Sequence, residues 1–453
     1  MRLLILLSIF LQLTESVNVT VLLFGSRYKT TKQRIAEKKK RILADAEKTK
    51  LLFSVYDGLN DFASESDLQG MWTIIPAIMK LKEVSDWTIV AEDTSEIEIN
   101  NLEKFIQARS PSDLIFNGLG LQDTSPTIIH HFGMNAPESF LYPLLSAGFI
   151  LSKNVTDLIK NMKKTERWSS FAIDAKYEFA LLLHKLNSIY LEHSPTLFCC
   201  GDFYDSCIVR CSASYPLLPS HVLEDSDIHV MIKTYSGHHH TRLLVLQNTW
   251  TRDLNRVEYC SDRDDPTIPT IDLKVGNTER GHCAKTWAIF RRFLDISGTA
   301  AKWLVVADDD TLMSWRRLKQ LLEVHDSDDK IIIGERYGFG FSFDGETGYD
   351  YPTGGAGMVF SRSAVESLLK ACPSCAAQTD PDDMTIGICA ATSGIPIIHE
   401  PRLHQARPQD YAKQYLSDSI SFHKFTDIDP ISTYNMYLLD VHGYIPDVNR
   451  SEL

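Results

Sequence analysis

Short apolar runs alternate with helical patterns through the second half of the chain. The clearest run, Ala301–Ala307 (AKWLVVA), has the length and composition of a buried strand. It leads directly into Asp308-Asp309-Asp310 and then into a helical pattern. Further strands are predicted at Met358–Ser361 and Ile395–His399, and helices at Trp315–Val324 and Met384–Ala391.

The first half of the chain repeats parts of this pattern. The repeat is clearest in two strand-like segments and in one acid that precedes an apolar helix. Residues 86–94 align with 302–310, residues 142–152 with 351–361 and Asp174 with Asp383, the last two pairs at an offset of 209. Such a repeat predicts two copies of one structural unit. Chance similarity between short apolar strands is the alternative interpretation.

The composition describes a folded, acidic protein of more than one domain. The chain has 453 residues, of which 44% are hydrophobic and 23% are charged, enough for two or three domains. Its 46 Lys and Arg residues against 59 Asp and Glu residues leave a formal net charge of −13. That balance argues against a broad surface for nucleic acid or anionic membrane. A mean hydropathy of −0.14 argues against a protein with many membrane spans.

The two ends of the chain predict that the protein is located in the secretory pathway. Residues 1–17 combine Arg2 with the apolar run Leu3–Leu13, which is typical of a cleaved signal peptide and too short to span a bilayer. A buried N-terminal strand or helix is the alternative. Residues 450–453 (RSEL) resemble the KDEL class of retrieval signals, so we expect the endoplasmic reticulum lumen and no stable membrane anchor. Glycosylation sequons begin at Asn18, Asn154 and Asn449.

The nine cysteines predict a disulfide-bonded protein, as suits an oxidising compartment. They can form at most four bridges, so at least one thiol stays unpaired. Residues 199–224 are predicted to be a disulfide-bonded linker between domains, because four cysteines lie close together at its start: Cys199, Cys200, Cys207 and Cys211. Cys372 and Cys375 have the spacing of a redox centre, but a structural disulfide is favoured because they follow a helical pattern. The remaining pairing stays open, with Cys260–Cys283 as one suggestion.

The three aspartates after the central apolar strand predict a metal site. Consecutive carboxylates at the end of a buried strand repel one another and cost desolvation. A hard divalent cation with oxygen ligands is the natural compensation. Side chains alternate along an extended segment, so Asp308 and Asp310 can face one side while Asp309 points elsewhere, for example towards a ribose. Helix capping is the alternative, but it requires only one Asp.

Three further segments carry candidate chemistry. The loop Thr353–Gly357 (TGGAG) is rich in small residues, which lets backbone approach a ligand closely. Asp382 and Asp383 open an apolar helix, and carboxylates at a helix N-terminus are stabilised by the helix dipole. Helix capping is again the alternative. His404 follows a predicted strand and is a candidate imidazole ligand.

Together these segments resemble the Fringe-like beta-1,3-glycosyltransferases of glycosyltransferase family 31. The resemblance extends from about residue 227 to residue 426. Its central motifs are Asp308–Asp310, the Thr353–Gly357 loop, Pro381–Gly387 and Leu403-His404. Upstream, it includes Val230–Thr234, Thr241–Leu243, Asn248–Trp250 and the donor-side segment Gly281–Thr286.

The resemblance implies a GT-A fold, a mixed α/β sheet that binds a nucleotide sugar at the carboxyl ends of its strands. The implied catalytic domain covers residues 225–449, with Asp383 as the base and Asp382 as the alternative base. The implied ligands for Mn2+ are Asp308, Asp310 and His404. The implied donor-pocket residues are Lys233, Thr234, Arg242, Asp262, Lys285, Asp308, Asp309, Gly354 and Gly355.

Residues 18–198 are expected to form a degenerate GT-A-like copy without catalytic activity. Thr94 stands where the second copy has Asp310, and threonine cannot replace the charge of a carboxylate at a cation. Leu145 and Ser146 replace two glycines of the loop. The copy would then support the active domain or hold the folded acceptor.

Within the family, the segments Gly334–Gly338, His404–Pro408 and Ser421–Lys424 are most similar to enzymes that extend O-linked fucose on thrombospondin type 1 repeats. The implied reaction moves glucose from UDP-glucose to that fucose in one displacement, which inverts the anomeric centre. Fringe-type transfer of GlcNAc or galactose to O-linked fucose is one alternative. A lumenal binding or quality-control protein with a vestigial transferase fold is another.

Overall fold

A computed structural model describes residues 16–25, 28–62, 70–122, 139–163, 168, 174–200, 204–211, 222–296, 301–343, 347–411, 413 and 416–439. The predicted leader up to residue 15, the sequon at Asn449 and the retrieval-like tail lie outside these residues.

The first of two α/β units extends from residue 16 to residue 211. Its strands are β1 (Val17–Phe24), β2 (Leu51–Asp57), β3 (Trp87–Glu92), β4 (Glu96–Ile97), β5 (Phe116–Gly118), β6 (Gly120–Leu121), β7 (Tyr142–Pro143), β8 (Phe149–Ser152), β9 (Glu192–His193), β10 (Phe198–Cys199) and β11 (Val209–Arg210). Its helices are α1 (Lys29–Ala46), α2 (Ile74–Lys80), α3 (Ile99–Gln107), α4 (Lys153–Lys160) and α5 (Ala175–Asn187). The main sheet has the order β2-β1-β3-β8-β5-β9.

The second unit follows from residue 222. Its strands are β12 (Ile228–Lys233), β13 (Val257–Ser261), β14 (Thr270–Asp272), β15 (Trp303–Asp308), β16 (Thr311–Met313), β17 (Ile332–Gly334), β18 (Arg336–Phe339), β19 (Tyr349–Pro352), β20 (Met358–Ser361), β21 (Ile397–His399) and β22 (Ser421–His423). Its helices are α6 (Arg242–Gln247), α7 (Cys283–Ile296), α8 (Trp315–Glu323), α9 (Arg362–Ala371), α10 (Asp382–Ser393) and α11 (Pro430–Thr433). The main sheet has the order β14-β13-β12-β15-β20-β17-β21.

The helices that flank the central strands begin and end at residues suited to those positions. The hydroxyl of Ser314 accepts a hydrogen bond from the amide of Arg317 and caps α8, and Ser361 caps α9 in the same way. Gly394 ends α10 with φ of 64°, a conformation that glycine adopts without strain. In the described ranges, no helix combines the length and apolarity that a membrane span requires.

Six strands of the second main sheet repeat the order and directions of the six strands in the first, and β14 is an additional edge strand. β2, β1, β3, β8, β5 and β9 correspond in turn to β13, β12, β15, β20, β17 and β21. Trp87 pairs with Ser152 in the first sheet as Trp303 pairs with Ser361 in the second. The two sequence alignments, at an offset of 216 for Trp87 and of 209 for Ser152, therefore relate residues at equivalent positions of two similar sheets.

The turn after the central strand is also alike in the two units. The Ser95 hydroxyl donates to the carbonyl oxygen of Ser146 at 2.8 Å, and the Thr311 hydroxyl donates to the carbonyl oxygen of Gly355 at 2.8 Å. Each hydroxyl also accepts a hydrogen bond from the amide of the last strand residue. The similarity thus extends from sheet order to single hydrogen bonds, and the predicted mixed α/β architecture is confirmed.

Part of the predicted linker is built into the first unit. Cys199–Cys207 and Cys200–Cys211 disulfides fold the chain back on itself. β11 lies between β10 and β4 in a three-stranded sheet, and Val209 is fully buried there. As far as Cys211, the segment is therefore packed structure of the first unit; residues 201–203 and 212–221 lie outside the described residues.

The other disulfides differ from the pairings expected from sequence. Cys283 pairs with Cys375 and Cys372 pairs with Cys389, while Cys260 is a buried free thiol. The expected Cys372–Cys375 and Cys260–Cys283 pairs are therefore wrong. The reason is that two helices, α7 and α10, each present a cysteine to the segment between α9 and α10. The prediction of four bridges at most, with an unpaired thiol, is confirmed.

Candidate active site

The candidate site lies where β12 and β15 end side by side. Lys233 pairs with Asp308 in the parallel register of these strands. The Lys233 ammonium lies 2.9 Å from Oδ1 of Asp308 and 2.7 Å from Oδ2 of Asp382 at the start of α10. One buried lysine therefore joins the acidic strand end to the acidic helix start.

The charges of this trio stabilise one another. Burial opposes the charge on Lys233, but the carboxylates of Asp308 and Asp382 outweigh it and raise the pKa of the ammonium. Burial would likewise raise the pKa of both carboxyls, yet Lys233 lowers them, that of Asp308 to about 2. All three groups are therefore charged at neutral pH.

Strand β22 brings a histidine to the same place. Because Thr311 in β16 pairs with His423, Nε2 of His423 lies 3.1 Å from Oδ1 of Asp310 and 3.7 Å from Oδ2 of Asp308. Nδ1 lies 2.9 Å from the carbonyl oxygen of Gln405, which can only accept, so Nδ1 carries a proton. Ligand atoms of the two aspartates and the histidine all lie within 4.8 Å of one another, a donor set that fits a divalent cation.

The structure places the expected histidine ligand, His404, among buried aromatic side chains. The ring of His404 lies 4.3 Å from that of Tyr411 and 4.9 Å from that of Phe422, measured between centroids. Its Nε2 is 3.1 Å from the Ser419 hydroxyl, and only 1% of the residue is exposed. His404 therefore packs inside the second unit, because β22, and not the segment that contains His404, pairs with the strand that follows the aspartates.

Asp309 lies with Asp310 in the turn between β15 and β16, rather than in the extended segment expected from sequence, and it has partners of its own. Its Oδ2 accepts a hydrogen bond from the Thr234 hydroxyl at 2.7 Å and lies 2.8 Å from Nδ1 of His238. Its Oδ1 accepts from Nη1 of Arg242 at 2.9 Å, and the same nitrogen lies 2.8 Å from Oδ2 of Asp310. Asp309 is 5% exposed and holds basic and hydroxyl side chains around the strand end.

The loop between β19 and β20 passes close to both acidic groups. A β-carbon at Gly354 would lie 3.9 Å from carboxylate oxygens of Asp382 and Asp383, which is an ordinary contact. A β-carbon at Gly355 would lie 2.6 Å from Cγ of His423, so the close approach of loop and ring requires glycine.

Asp382 and Asp383 have different surroundings. Asp382 is buried, and its Oδ2 accepts from the Thr286 hydroxyl at 2.6 Å in addition to its lysine contact. Asp383 is partly exposed, and its oxygens accept from the amides of Met384 at 2.7 Å and Gly354 at 3.3 Å. The first carboxylate is enclosed by side chains, whereas the second borders the glycine-rich loop.

The pKa values of the two carboxyls diverge accordingly. Burial and the negative charge of Asp382 raise the pKa of Asp383 to about 6, although its amide hydrogen bonds oppose the shift. A partly exposed carboxylate that titrates just below neutral pH is suited to accept a proton from a substrate. Asp382 stays ionised against Lys233 and is suited to hold the helix start in place.

Two further expected donor residues flank the end of β12. Nζ of Lys285 donates to the carbonyl oxygen of Thr234 at 2.5 Å. Oδ1 of Asp262 accepts from the amide of Ser236 at 2.7 Å. The structure thus gathers the expected donor-pocket residues around one strand end and the loop beside it, and His404 is the exception among the expected site residues.

Sequence reasoning missed three residues that hold the site together. Oε2 of Glu335 accepts from the amide of Gln405 at 2.7 Å, and Oε1 of Gln405 accepts from the amide of Ala356 at 3.1 Å. The carbonyl of Gln405 in turn orients His423. All three residues lie in segments noted only for family resemblance, Gly334–Gly338, His404–Pro408 and Ser421–Lys424.

Comparisons with known proteins agree with this geometry. The family model described as Fringe-like matches residues 223–441. A beta-1,3-glucosyltransferase of Homo sapiens is 41% identical over 379 residues, which cover 82% of this chain and 75% of that protein. The Mus musculus beta-1,3-glucosyltransferase is 40% identical over the same length, with 82% and 76% covered.

The chain belongs to the Fringe-like beta-1,3-glycosyltransferases. The protein is therefore a glycosyltransferase with a GT-A fold. Its glycosyltransferase relatives imply that it uses a sugar donor and a glycoprotein acceptor. A more distant relative, the manic fringe N-acetylglucosaminyltransferase of Danio rerio, is 28% identical over 225 residues, 42% of this chain and 61% of that protein. The human alignment is longer than the family-model match, so it also includes part of the first unit.

Proposed function

We propose that this glycosyltransferase moves glucose from UDP-glucose to O-linked fucose on thrombospondin type 1 repeats, with inversion at the anomeric carbon. The observation that carries the proposal is the pair of acidic sites joined by Lys233, 2.9 Å from Asp308 and 2.7 Å from Asp382. One site is suited to a metal diphosphate and the other to a base. Glucose as the sugar is supported by the two beta-1,3-glucosyltransferase relatives.

On this proposal, the metal side of the site consists of Asp308, Asp310 and His423. Two carboxylates and one imidazole are a donor set that Mn2+ accepts. Bound there, the ion would neutralise charge on the leaving diphosphate. His423 takes the place that sequence reasoning gave to His404, and Gln405 fixes its ring orientation.

The proposed base is Asp383. It accepts the proton of the fucose 3-hydroxyl as that oxygen attacks the anomeric carbon from the face opposite the diphosphate. The carbon–oxygen bond to UDP breaks as the new glycosidic bond forms, so an alpha-linked donor gives a beta-linked product. Its raised pKa, its partial exposure and its border on the Gly354 loop support this role over Asp382.

The remaining polar residues surround the donor. Lys233, Thr234 and Lys285 lie at the end of β12, where a nucleotide sugar meets the carboxyl edge of the sheet. Arg242 contacts both Asp309 and Asp310 and can reach the diphosphate side of the site. Asp309, Asp262, Gly354 and Gly355 complete the proposed donor pocket.

We propose that the first unit is not catalytic. Phe24 stands at the position equivalent to Lys233 and is fully buried, and Leu145 stands in place of Gly354 and is 3% exposed. Thr94 stands in place of Asp310. Apolar side chains therefore replace Lys233 and Gly354, two of the residues proposed to meet the charged donor.

We further propose that the enzyme works in the lumen of the endoplasmic reticulum. The leader-like residues 1–17 and the retrieval-like tail support this location. Four disulfides agree with an oxidising compartment.

The test offers UDP-glucose, UDP-GlcNAc and UDP-galactose to the purified enzyme with Mn2+ and a folded, fucosylated thrombospondin repeat. We expect transfer from UDP-glucose alone and loss of transfer with EDTA. Asp383→Asn should abolish transfer while donor binding persists. Transfer from another donor would refute glucose, and transfer that survives EDTA would refute the metal. Binding of the repeat without any transfer would instead favour a lumenal binding protein.

A further inference from the structure

The hairpin of β18 and β19 has two unlike faces. Tyr337 pairs with Tyr351 and Phe339 pairs with Tyr349, so these four rings share one face, which we call the aromatic face. Gly338, between two of the rings in sequence, lies on the other face.

The aromatic face lies beside the proposed base. Tyr337 and Tyr351 are buried, and three partly buried side chains pack against this pair: Phe339, Tyr349 and Met384, the residue after Asp383. Burial first, and the charge of Asp383 second, raise the pKa of Tyr349 and of Tyr351.

The hairpin is held at a fixed distance from the base helix. A β-carbon at Gly387 in α10 would lie 2.6 Å from Cβ of Tyr351, so helix and strand touch backbone to backbone. β19 also continues directly into the loop whose Gly354 amide contacts Asp383 at 3.3 Å. A shift of the hairpin would therefore move the surroundings of the base.

The chain after β18 crosses into the first unit. Phe341 lies 5.0 Å from Trp72 and Phe343 lies 5.0 Å from Trp168, between ring centroids, and the two tryptophans are 5.4 Å apart. The Trp168 amide donates to the carbonyl oxygen of Phe341 at 3.3 Å. Phe341 and Phe343 are 2% and 4% exposed and belong to the apolar core of the first unit.

The first unit also touches the face of the hairpin opposite the rings. A β-carbon at Gly338 would lie 2.5 Å from Nε1 of Trp72. Trp72 therefore rests directly on the strand, and any larger side chain at residue 338 would separate the first unit from the hairpin.

We propose that the aromatic face is the platform for the acceptor sugar, and that the first unit acts in catalysis by anchoring the hairpin that carries this platform. The inference rests on the proposed function, since it needs an acceptor hydroxyl at Asp383. A hydroxyl within hydrogen-bond distance of Asp383 places the rest of its ring over the neighbouring side chains. Fucose lacks one hydroxyl and has an apolar C–H face, and the partly exposed Phe339 and Tyr349 offer it a matching surface.

Three variants of the full enzyme test the proposal. Tyr349→Ala removes part of the platform, and Phe343→Ala loosens the anchor. Phe105→Ala is the matched control, because Phe105 is equally buried in the first unit, against Trp87, at 5.8 Å between centroids. For each variant, the KM for a fucosylated repeat, the KM for UDP-glucose, donor hydrolysis without acceptor and the melting temperature are measured.

We expect Tyr349→Ala to raise the acceptor KM about tenfold, the upper range for loss of a ring contact, with donor KM and donor hydrolysis within about twofold of wild type. Phe343→Ala should raise the acceptor KM by roughly threefold or more at unchanged donor KM. Phe105→Ala should lower the melting temperature without changing the acceptor KM. Phe343→Leu repeats the anchor test with less loss of bulk if the alanine variant accumulates poorly.

Each part can be overturned separately. An unchanged acceptor KM in Tyr349→Ala would refute the platform. Equal acceptor KM values in the Phe343→Ala and Phe105→Ala proteins would refute the anchor, because they would reduce the first unit to a general stabiliser. A wild-type enzyme that transfers no sugar to fucose would refute the proposed function itself, which is a different result from either.

Discussion

Replacing Gly355 with alanine should disable the metal side of the site while leaving the fold intact. The new β-carbon would lie 2.6 Å from Cγ of His423, whereas carbon atoms pack at about 3.5–4.0 Å. The ring or the loop must therefore retreat by about 1 Å. The 3.1 Å contact between His423 and Asp310 would be lost with it. A misplacement of about 1 Å typically costs about 100-fold in rate, so we expect kcat/KM to fall about 100-fold.

The assay titrates Mn2+ against transfer rate for wild type, Gly355→Ala and Gly276→Ala. Gly276→Ala is the matched control, because it makes the same substitution at a glycine outside the proposed site whose β-carbon would meet no atom within 4 Å. We expect the Mn2+ concentration for half-maximal rate to rise only in Gly355→Ala, at a melting temperature near that of wild type. An unchanged Mn2+ response in Gly355→Ala would show that His423 is not a ligand.

Three further predictions concern the base, the disulfides and the first unit. Because the pKa of Asp383 is raised to about 6, kcat/KM should be flat above that pH and fall about tenfold per unit below it; a profile flat to pH 5 would exclude this base. Replacing both Cys372 and Cys389 with serine removes a disulfide between residues 17 apart in sequence and should lower the free energy of unfolding by about 3 kcal/mol. Urea titration measures this free energy, and an unchanged value would contradict the pairing. Thr94→Asp should not restore transfer to an Asp310→Ala enzyme, since the first unit has Phe24 and Leu145 in place of Lys233 and Gly354. Any recovered activity in a transfer assay would refute the proposal that the first unit is not catalytic.

The parts of the site that could be predicted from the sequence are those whose residues are adjacent in the chain. Asp308 to Asp310 follow one apolar strand, and Asp382 and Asp383 open one helix, so local pattern was enough to find them. The duplicated sheet could also be predicted, because apolar strands keep their pattern after the charged ends have changed. Trp87 and Trp303 still mark the same register position in the two copies.

The parts that sequence missed depend on pairing between distant segments. His423 reaches Asp310 only because β22 pairs with β16, and nothing around residue 423 reports that partner. His404 follows a strand and looks equally suitable, but no local pattern shows that its ring packs against Tyr411 and Phe422. The disulfide pairing was predicted wrongly for the same reason, since Cys283 bonds to Cys375, which lies 92 residues further along the chain.

The arrangement of disulfides between α7 and α10 has a consequence for how the enzyme is made. Cys372 and Cys375 are near neighbours in the chain, whereas their native partners lie 17 and 92 residues away, so a bond between the two can compete with the native pairs. Such a bond would be non-native, and both sulfurs would have to exchange partners before the helix that carries Asp383 is tied to the donor-side helix. The amount of active enzyme a cell obtains should therefore follow its disulfide-exchange capacity, while the turnover of each correctly bonded molecule stays the same.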